Sequence, residues 1–545
     1  MSRRVPSPRA LISILAFLSL AGCGPGGPPS SGEGVAPADQ EQVFVFARGG
    51  DSVGLDPSHQ DDGESLKVCG SIYDTLVQFR PGTTEVEGAL AERWEASADG
   101  LTWTFHLRHG VKFHDGTPFD ADAVLFSLNR QLDPNHEHHG VGGGYTYWSA
   151  MGMSDIVEKI EKTGPFTVRF TLQKPEAPFL ANLAMNFASI VSPTAARAKG
   201  ERFGFEPVGT GPFRFGSWQQ QQKIVLEAND DYWGGRPAID RLIFEVIADS
   251  NIRTMRFRSG EIHAFDNPAP SELQAVSKMP HARLLQEPGM NIGYLAMNLD
   301  RKPFDDVRVR KAINHAIDKE RIIRDIYKGT GTVAKNPIPP VLWSYEEGIP
   351  DFEHDKDKAR ALLAEAGLAE GFKTNLWYMP VKRPYMPDGK KVGEAIQLDL
   401  AEIGVKVNLV TYEWATYLER TKNGDHDMAL LGWSGDNGDP DNFLFVLLSK
   451  TAAIKPANNI SFYRNEQFNS LLERAKQSTD PMERDTLYRE AQHVFHQDPP
   501  WVCLAHNIQT VVVHEDVEGF VLYPTTRKDF RTVSLKSASA GPGPS

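Results

Sequence analysis

The sequence predicts an α/β protein with at least two lobes. Its 545 residues exceed what one hydrophobic core supports, and a composition of 40% hydrophobic and 24% charged residues is that of an ordinary globular protein. Segments that alternate apolar and polar residues predict strands as far as about Pro288. Beyond that point amphipathic helices that lead into strands become frequent, which is the pattern of an α/β fold.

The first half of the chain carries most of the predicted strands. A helix is predicted to begin after Asp120, whose side chain can cap it, and to continue through Val124 and Leu128. A second helix is predicted over residues 252–258. The predicted strands cover residues 43–47, 101–107, 166–172, 224–227 and 239–247.

In the second half, helices and strands alternate. Asp305 and Asp306 precede a predicted helix, in which Val309, Ile313 and Ile317 share one face. Gly404 ends another helix and leads directly into a strand, an order typical of crossovers in a mostly parallel sheet. The predicted helices cover residues 392–403, 470–477 and 481–496, and the predicted strands cover residues 405–409, 428–431, 501–505 and 510–513.

The N-terminus has the composition of an export signal. Arg3, Arg4 and Arg9 precede an apolar run and then small residues before Cys23. This order predicts a signal peptide over residues 1–22, and it resembles the bacterial lipobox, in which the cysteine is lipidated after cleavage. The Pro-, Gly- and Ser-rich residues 23–39 predict a flexible tether. We therefore expect an exported protein, anchored by lipid to a membrane of the cell envelope, with a disordered tail over residues 537–545.

Charge and cysteine content exclude several classes of function. The formal net charge is −13, and removal of a segment with three arginines and no acid would make it −16. This disfavours nucleic acid or anionic lipid as a partner of the folded part. Besides Cys23 only Cys69 and Cys503 remain, and they could pair or stay free. Two thiols cannot build a cysteine-based metal site, and we predict no metal and no cofactor.

The segment 431–442, Leu-Gly-Trp-Ser-Gly-Asp-Asn-Gly-Asp-Pro-Asp-Asn, is the strongest local candidate for a binding site. A buried strand that ends at an aromatic residue and opens into a Gly/Asp loop can direct carboxylates into a cleft. In isolation the same segment could be a surface turn with solvated acids, so its context decides between these interpretations.

That context is a resemblance that covers nearly all of the exported chain. Five motifs in order are similar to the extracellular solute-binding proteins of family 5, which serve peptide and nickel ABC transporters. Four further segments are similar to dipeptide-binding members of the family. The first group covers residues 90–95, 104–108, 111–116, 209–213 and 306–312, and the second covers residues 174–180, 379–385, 412–414 and 435–442.

The resemblance implies the two-lobed clamshell of periplasmic binding proteins. Lobe I would comprise residues 40–288 and 507–536, with an extra subdomain at about 75–207, and lobe II would comprise residues 289–506. The implied function is capture of dipeptides or short peptides in the periplasm, as a monomer, and delivery to the permease subunits of an ABC importer. Relatives of this type often carry disulfides that the cysteines here do not reproduce.

The resemblance also implies the site residues. A dipeptide carries one ammonium and one carboxylate, and a closed cleft must supply partners for both because unpaired buried charge is costly. By this resemblance Asp436 binds the ammonium, Arg383 binds the carboxylate through its planar fork, and Trp433 and Tyr385 form walls. Recognition of both termini would make binding depend on peptide length and little on side chains. The other acids of the loop would order it or lie at its rim.

Two alternatives remain open at this stage. An exported peptidase is one, but the sequence His136-Glu137-His138-His139 lacks the spacing of a zinc helix, and Asp436 stands where a nucleophile elbow needs its second glycine. The other is the same fold with haem, glutathione, 5-aminolevulinate or a nickel chelate as ligand.

Overall fold

The computed structural model of the protein describes residues 41–525 and 527–536. The predicted signal peptide, the tether with Cys23, and the tail 537–545 lie outside the described residues. None of the helices in the described part combines the length and the apolar character needed to cross a bilayer.

The structure is mixed α/β. The strands of the described residues are β1 (Val43–Arg48), β2 (Val77–Phe79), β3 (Val86–Gly88), β4 (Ala91–Ala96), β5 (Thr102–Leu107), β6 (Val157–Gly164), β7 (Thr167–Leu172), β8 (Phe213–Gln219), β9 (Lys223–Ala228), β10 (Arg241–Val246), β11 (Ala264–Asp266), β12 (Ala282–Pro288), β13 (Asn291–Met297), β14 (Gly331–Val333), β15 (Lys373–Trp377), β16 (Lys406–Val410), β17 (Met428–Ser434), β18 (Trp501–His514), β19 (Val517–Glu518), β20 (Val521–Leu522), β21 (Lys528–Asp529) and β22 (Ser534–Leu535).

The α-helices of the same residues are α1 (Gly63–Ile72), α2 (Ala121–Leu132), α3 (Thr146–Ala150), α4 (Met153–Ile156), α5 (Phe179–Leu183), α6 (Pro193–Lys199), α7 (Ser250–Arg258), α8 (Leu273–Val276), α9 (Val307–Ala316), α10 (Lys319–Ile322), α11 (Lys356–Glu365), α12 (Gly389–Ala401), α13 (Trp414–Lys422), α14 (Asp441–Leu448), α15 (Glu466–Gln477) and α16 (Pro481–Gln497). Asp120 and Asp306 cap α2 and α9 through their side chains, as their positions in the sequence predict.

The large sheet is mixed, so the prediction of a mostly parallel sheet is wrong. Its order is β16-β15-β17-β13-β18-β11-β1-β10-β9-β8, with β12 and β14 also paired to β18. Within the described residues β1 pairs in parallel with β10 and β11, and β15 with β16 and β17. The other pairs of this sheet are antiparallel. The crossover β15–α12–β16 that the Gly404 pattern predicts is present, but it governs only one end of the sheet.

Strand β18 connects the two halves of the sheet. The sequence predicts two strands here, at 501–505 and 510–513, whereas the structure has one strand over Trp501–His514. Its first part pairs with β13, and its second part pairs with β12. The polar residues between these two parts of β18 still belong to the strand, because strand pairing continues through this region. Ile508, for example, lies opposite Pro288. Local polarity therefore marks the place where β18 changes partner and not a break in the strand.

A separate antiparallel sheet, in the order β4-β5-β7-β6, lies within the segment predicted as the extra subdomain. Helix α2 packs on β6. The exact lobe and subdomain boundaries stay predictions.

Two main hydrophobic clusters form the core. The largest joins side chains of residues 76–190 to side chains of residues 290–505, and the second gathers the sheet around β1 and β10. Cys69 lies in the second cluster and Cys503 in the first, and both are buried free thiols. The pairing of these cysteines that the sequence left open does not occur in the structure.

Candidate functional site

A cavity of about 700 Å³ lies at the end of β17. Asp436, Arg383, Trp433 and Tyr385, the four residues for which the resemblance implies ligand contact, all line it. Its volume falls within the range of roughly 300–1,000 Å³ that is usual for small-ligand pockets. The structure therefore brings together side chains from the hairpin before α12 and from the loop after β17.

Strand β17 leads directly into the candidate loop. It extends to Ser434, beyond the predicted end at residue 431, because Gly432 and Trp433 still pair with β13. The chain leaves the sheet at Gly435, whose N–H donates to the Met290 carbonyl over 2.7 Å. A Cβ at position 435 would lie 2.6 Å from the Phe443 ring, so the close turn requires glycine.

Asp436 follows this turn, and its carboxylate is half-buried. The Tyr147 hydroxyl donates to its Oδ2 over 3.1 Å. Within the described part of the chain, no lysine, arginine or histidine nitrogen lies within 4.0 Å of this carboxylate. Burial raises the pKa of the Asp436 carboxyl to about 7, and the hydrogen bond from Tyr147 opposes that rise. The cavity thus contains an acid that an ammonium group would stabilise in its ionised form.

The other acids of the loop already have cationic partners in the protein. Asp439 accepts two hydrogen bonds from Arg484, at 2.9 and 2.8 Å. Asp441 lies 3.5 Å from the Lys476 ammonium. These ion pairs account for the two carboxylates within the fold and leave Asp436 as the acid of the loop that faces the cavity.

Trp433 and Asp436 are both held by Asn442, at the start of α14. The Trp433 indole N–H donates to Asn442 Oδ1 over 2.9 Å, and the Asp436 main-chain N–H donates to the same oxygen over 3.3 Å. Asn442 is almost completely buried. One amide oxygen therefore orients both the aromatic wall and the carboxylate.

Tyr385 packs against a pair of glycines on neighbouring strands, its ring against Gly432 and its main-chain carbonyl against Gly293. Gly293 of β13 lies opposite Gly432 of β17. A Cβ at Gly432 would lie 2.2 Å from Tyr385 Cδ2, and one at Gly293 would lie 2.3 Å from the Tyr385 carbonyl oxygen. The Tyr327 hydroxyl donates to the same carbonyl over 2.8 Å. Burial raises the pKa of the Tyr385 hydroxyl to about 12, so it stays neutral as a wall of the cavity.

Arg383 lies on the exposed side of the same hairpin. Its main chain exchanges hydrogen bonds with Met386, at 3.0 and 2.9 Å, which closes the turn. The guanidinium carbon lies 5.2 Å from the centre of the Trp414 ring, a cation–π contact. No carboxylate of the described residues lies within 4.0 Å of the Arg383 nitrogens. An anionic ligand could therefore bind it without displacing an internal ion pair.

The charges that line the cavity balance. Five acids and five bases line it, so the cavity offers partners to ligand groups of both signs. The acids are Asp61, Asp62, Glu64, Asp266 and Asp436, and the bases are Lys67, Lys382, Arg383, Lys422 and Lys528.

The histidine-rich segment 136–139 lies elsewhere. His139 Nδ1 is 2.9 Å from the Arg130 carbonyl oxygen, and His138 packs edge-on to Phe126. Over residues 41–525 and 527–536, no group of three or more His, Cys, Asp or Glu side chains is arranged to hold a metal ion.

Several residues of the site lie outside the sequence-based prediction. Asn442 belongs to the candidate loop, but it is the second residue of α14 and not its cap, so the preference of asparagine for helix caps could not have identified its orienting role. Tyr147 is 289 positions from its partner Asp436, and no local pattern links the two. Lys528 lines the cavity from β21, in a segment that the sequence associated only with the return of the chain to the first lobe.

The sequence matches the model of the bacterial extracellular solute-binding proteins, family 5 Middle, over residues 85–455. It is 40% identical over 515 residues to the dipeptide-binding protein of Escherichia coli. The aligned region covers 92% of this chain and 96% of that protein. It is 41% identical over 519 residues to heme-binding protein A of Haemophilus influenzae. The aligned region covers 93% of this chain and 94% of that protein.

A solved structure agrees with these matches. The periplasmic binding protein DppA from Helicobacter pylori, in complex with the peptide STSA, superimposes with a TM-score of 0.80 and 42% identity, covering 91% of this chain and 98% of that one. The likeness confirms the predicted α/β clamshell of two lobes. The chain belongs to family 5 of the bacterial extracellular solute-binding proteins and is a binding protein, not an enzyme.

Proposed function

We propose that this protein is the substrate-binding lipoprotein of an ABC importer. It captures dipeptides or short peptides in the periplasm and delivers them to the permease subunits in the membrane. Relatives named as dipeptide-binding proteins and a structural relative in complex with a peptide support this proposal.

One observation carries the proposal in this chain. Asp436 and Arg383 line a single cavity, and each lacks an ion-pair partner of opposite charge among the described residues. A dipeptide has the two charges that this arrangement lacks, an ammonium for Asp436 and a carboxylate for Arg383. Trp433 and Tyr385 supply the walls between them.

The energies are of the right size for this division of roles. A charge-assisted hydrogen bond contributes about 1.5–3 kcal/mol net. Micromolar affinity requires about 8 kcal/mol in total. If each peptide terminus forms two such hydrogen bonds, the two termini provide most of the affinity. We therefore expect specificity for free termini and for peptide length.

Closure of two lobes over the ligand is part of the proposal. Lobe I would comprise residues 40–288 and 507–536, and lobe II residues 289–506, with hinges near 288 and 506. The change of partner along β18, which pairs with β13 and then with β12, supports hinges at these positions. The protein would act as a monomer, anchored through lipid on Cys23 after removal of residues 1–22.

Calorimetry on protein freed of bound ligand tests the proposal. We expect Ala-Ala to bind in the micromolar range, and N-acetyl-Ala-Ala and Ala-Ala-amide to bind about 10–100-fold more weakly. Asp436→Asn should weaken Ala-Ala strongly but N-acetyl-Ala-Ala little, and Arg383→Met should show the same selectivity for the carboxylate. Lys390→Met, at an exposed position outside the cavity lining, is the matched control. Unchanged Ala-Ala affinity in both site variants would refute the assignment.

Haem is the second candidate ligand, because a relative of 41% identity is named heme-binding protein A. An absorbance titration with haem, followed by competition with Ala-Ala, separates the two ligands. Mass spectrometry of the ligand that co-purifies with the protein gives an independent answer.

A further inference from the structure

The cavity contains a second charged side chain that has no ion-pair partner among the residues that the structure describes. Lys528, on β21, lines the cavity while its residue is only 4% exposed. Its ammonium donates to Gln509 Oε1 over a long 3.5 Å. No carboxylate of the described residues lies within 4.0 Å of it. An ammonium has three donors, so this contact leaves two of them without a protein acceptor in the described part of the chain.

The neighbouring carboxylates already have other partners. Asp266 and Glu64 both accept hydrogen bonds from the Lys67 ammonium, and Glu64 does so over 2.9 Å. Burial and the nearby Lys67 lower the pKa of Lys528 to about 8, although Asp266 and Glu64 act in the opposite direction. Lys528 is therefore mostly charged at neutral pH, in a position where a buried cation is costly.

The other lysines of the cavity do not share this property. Lys382 is exposed and Lys422 is half-buried, so water solvates their charges. The free energy that a ligand anion would gain is largest where a cation is already desolvated, because little further desolvation has to be offset.

We propose that Lys528 recognises a carboxylate on a side chain of the bound peptide, so that peptides with Asp or Glu are a preferred substrate class. This inference rests on the proposed function, in which Asp436 and Arg383 already bind the two peptide termini. The anion that reaches Lys528 must then come from a side chain. A neutral amide of the same shape, as in Gln, offers an oxygen acceptor but no charge, and binds the ammonium less strongly.

Paired peptides test the inference. Calorimetry would measure Ala-Glu and Ala-Gln with the unmodified protein, with Lys528→Met and with Lys390→Met, a change at an exposed lysine outside the cavity lining. We expect the unmodified protein to bind Ala-Glu about tenfold more tightly than Ala-Gln. Lys528→Met should bring this ratio close to one while leaving the Ala-Gln affinity within about twofold, and Lys390→Met should keep the ratio.

The outcomes separate this inference from the proposed function. If Lys528→Met weakens both peptides equally, or if the ratio in the unmodified protein is already close to one, Lys528 does not read a side-chain carboxylate, although dipeptide binding stands. If the unmodified protein binds neither peptide, the proposed function fails and the inference fails with it. Thermal unfolding of the variants checks that they are folded, so that a change in the ratio of Ala-Glu to Ala-Gln affinity does not reflect loss of structure.

Discussion

The Tyr147 hydroxyl donates a hydrogen bond to the Asp436 carboxylate over 3.1 Å and thereby joins segments that lie 289 positions apart. This hydrogen bond favours the ionised form of the half-buried Asp436 carboxyl, whereas burial favours the protonated form. Asp436 is thus prepared for a cation by a neutral donor and not by a protein base.

Removal of that hydroxyl should weaken dipeptide binding at neutral pH. Tyr147→Phe deletes a donor that favours ionised Asp436, so the pKa of Asp436 should rise above about 7. We expect Ala-Ala affinity at about pH 7 to fall about three- to tenfold relative to the unmodified protein, and this difference to shrink toward about pH 8, where the peptide ammonium itself begins to lose its proton. Tyr145→Phe, whose hydroxyl bonds to the His138 carbonyl and not to the site, is the control. Equal losses in both variants would contradict the role of Tyr147.

Peptide binding should release protons near neutral pH. The ligand-free Asp436 carboxyl has its pKa raised to about 7, and an ammonium ligand binds only its ionised form. Below about pH 7 the free acid is mostly protonated, so affinity should fall up to tenfold per pH unit as the pH decreases. Above that value it should level off, and above about pH 8 it should fall again because the peptide ammonium loses its proton. Calorimetry in buffers of different ionisation enthalpy measures the protons released.

Asp436→Asn is the control for this pH dependence. Its residual binding should lack the transition near pH 7, because the titrating group is absent. A transition that persists unchanged in the variant would assign it to another residue.

The glycine pair under Tyr385 should be intolerant of any side chain. A Cβ at Gly432 would lie 2.2 Å from the Tyr385 ring, which must then move into the cavity or force the strands apart. We expect Gly432→Ala to lower the free energy of unfolding by about 1–3 kcal/mol and to weaken Ala-Ala binding. Gly144→Ala, at a glycine with open space around it, should change neither quantity. Denaturant titration and calorimetry measure both effects.

Lys476 should be essential for stability. Its ammonium lies 3.0 Å from Glu176 and 3.5 Å from Asp441, and all three side chains are largely buried. Lys476→Met would leave two carboxyls without a cation and should lower the free energy of unfolding by about 3 kcal/mol. Lys450→Met, which removes the exposed partner of Glu466, should cost less than about 1 kcal/mol.

The pH dependence of the Lys476→Met variant has a definite sign. Burial raises the pKa of the Glu176 carboxyl to about 7 even with Lys476 present, and loss of the cation should raise it further. Because the folded state then binds more protons than the unfolded state between about pH 4.5 and the raised pKa, the variant should lose stability as the pH rises through that interval. Urea unfolding at about pH 5 and about pH 8 measures the difference. A destabilisation that is the same at both pH values would contradict this explanation.

The sequence by itself determined the local elements and the class of fold. Period-two segments such as the one ending at Leu107 became strands, and Asp120 and Asp306 became helix caps, because backbone geometry and capping act over a few neighbouring residues. The run from Met428 into the Gly/Asp loop likewise has a local cause, a continuous apolar segment at residues 428–431 that is followed by glycine.

Only the tertiary structure decided which polar groups are partners. The loop acids Asp436, Asp439 and Asp441 look alike in sequence, yet Arg484 and Lys476 neutralise the last two, whereas the first accepts a hydrogen bond from the neutral Tyr147 hydroxyl. The continuity of β18 and the mixed sheet also depend on pairing with distant strands. Such partnerships follow from the path of the whole chain, because electrostatic and hydrogen-bond partners are set by distance in space and not by position in sequence.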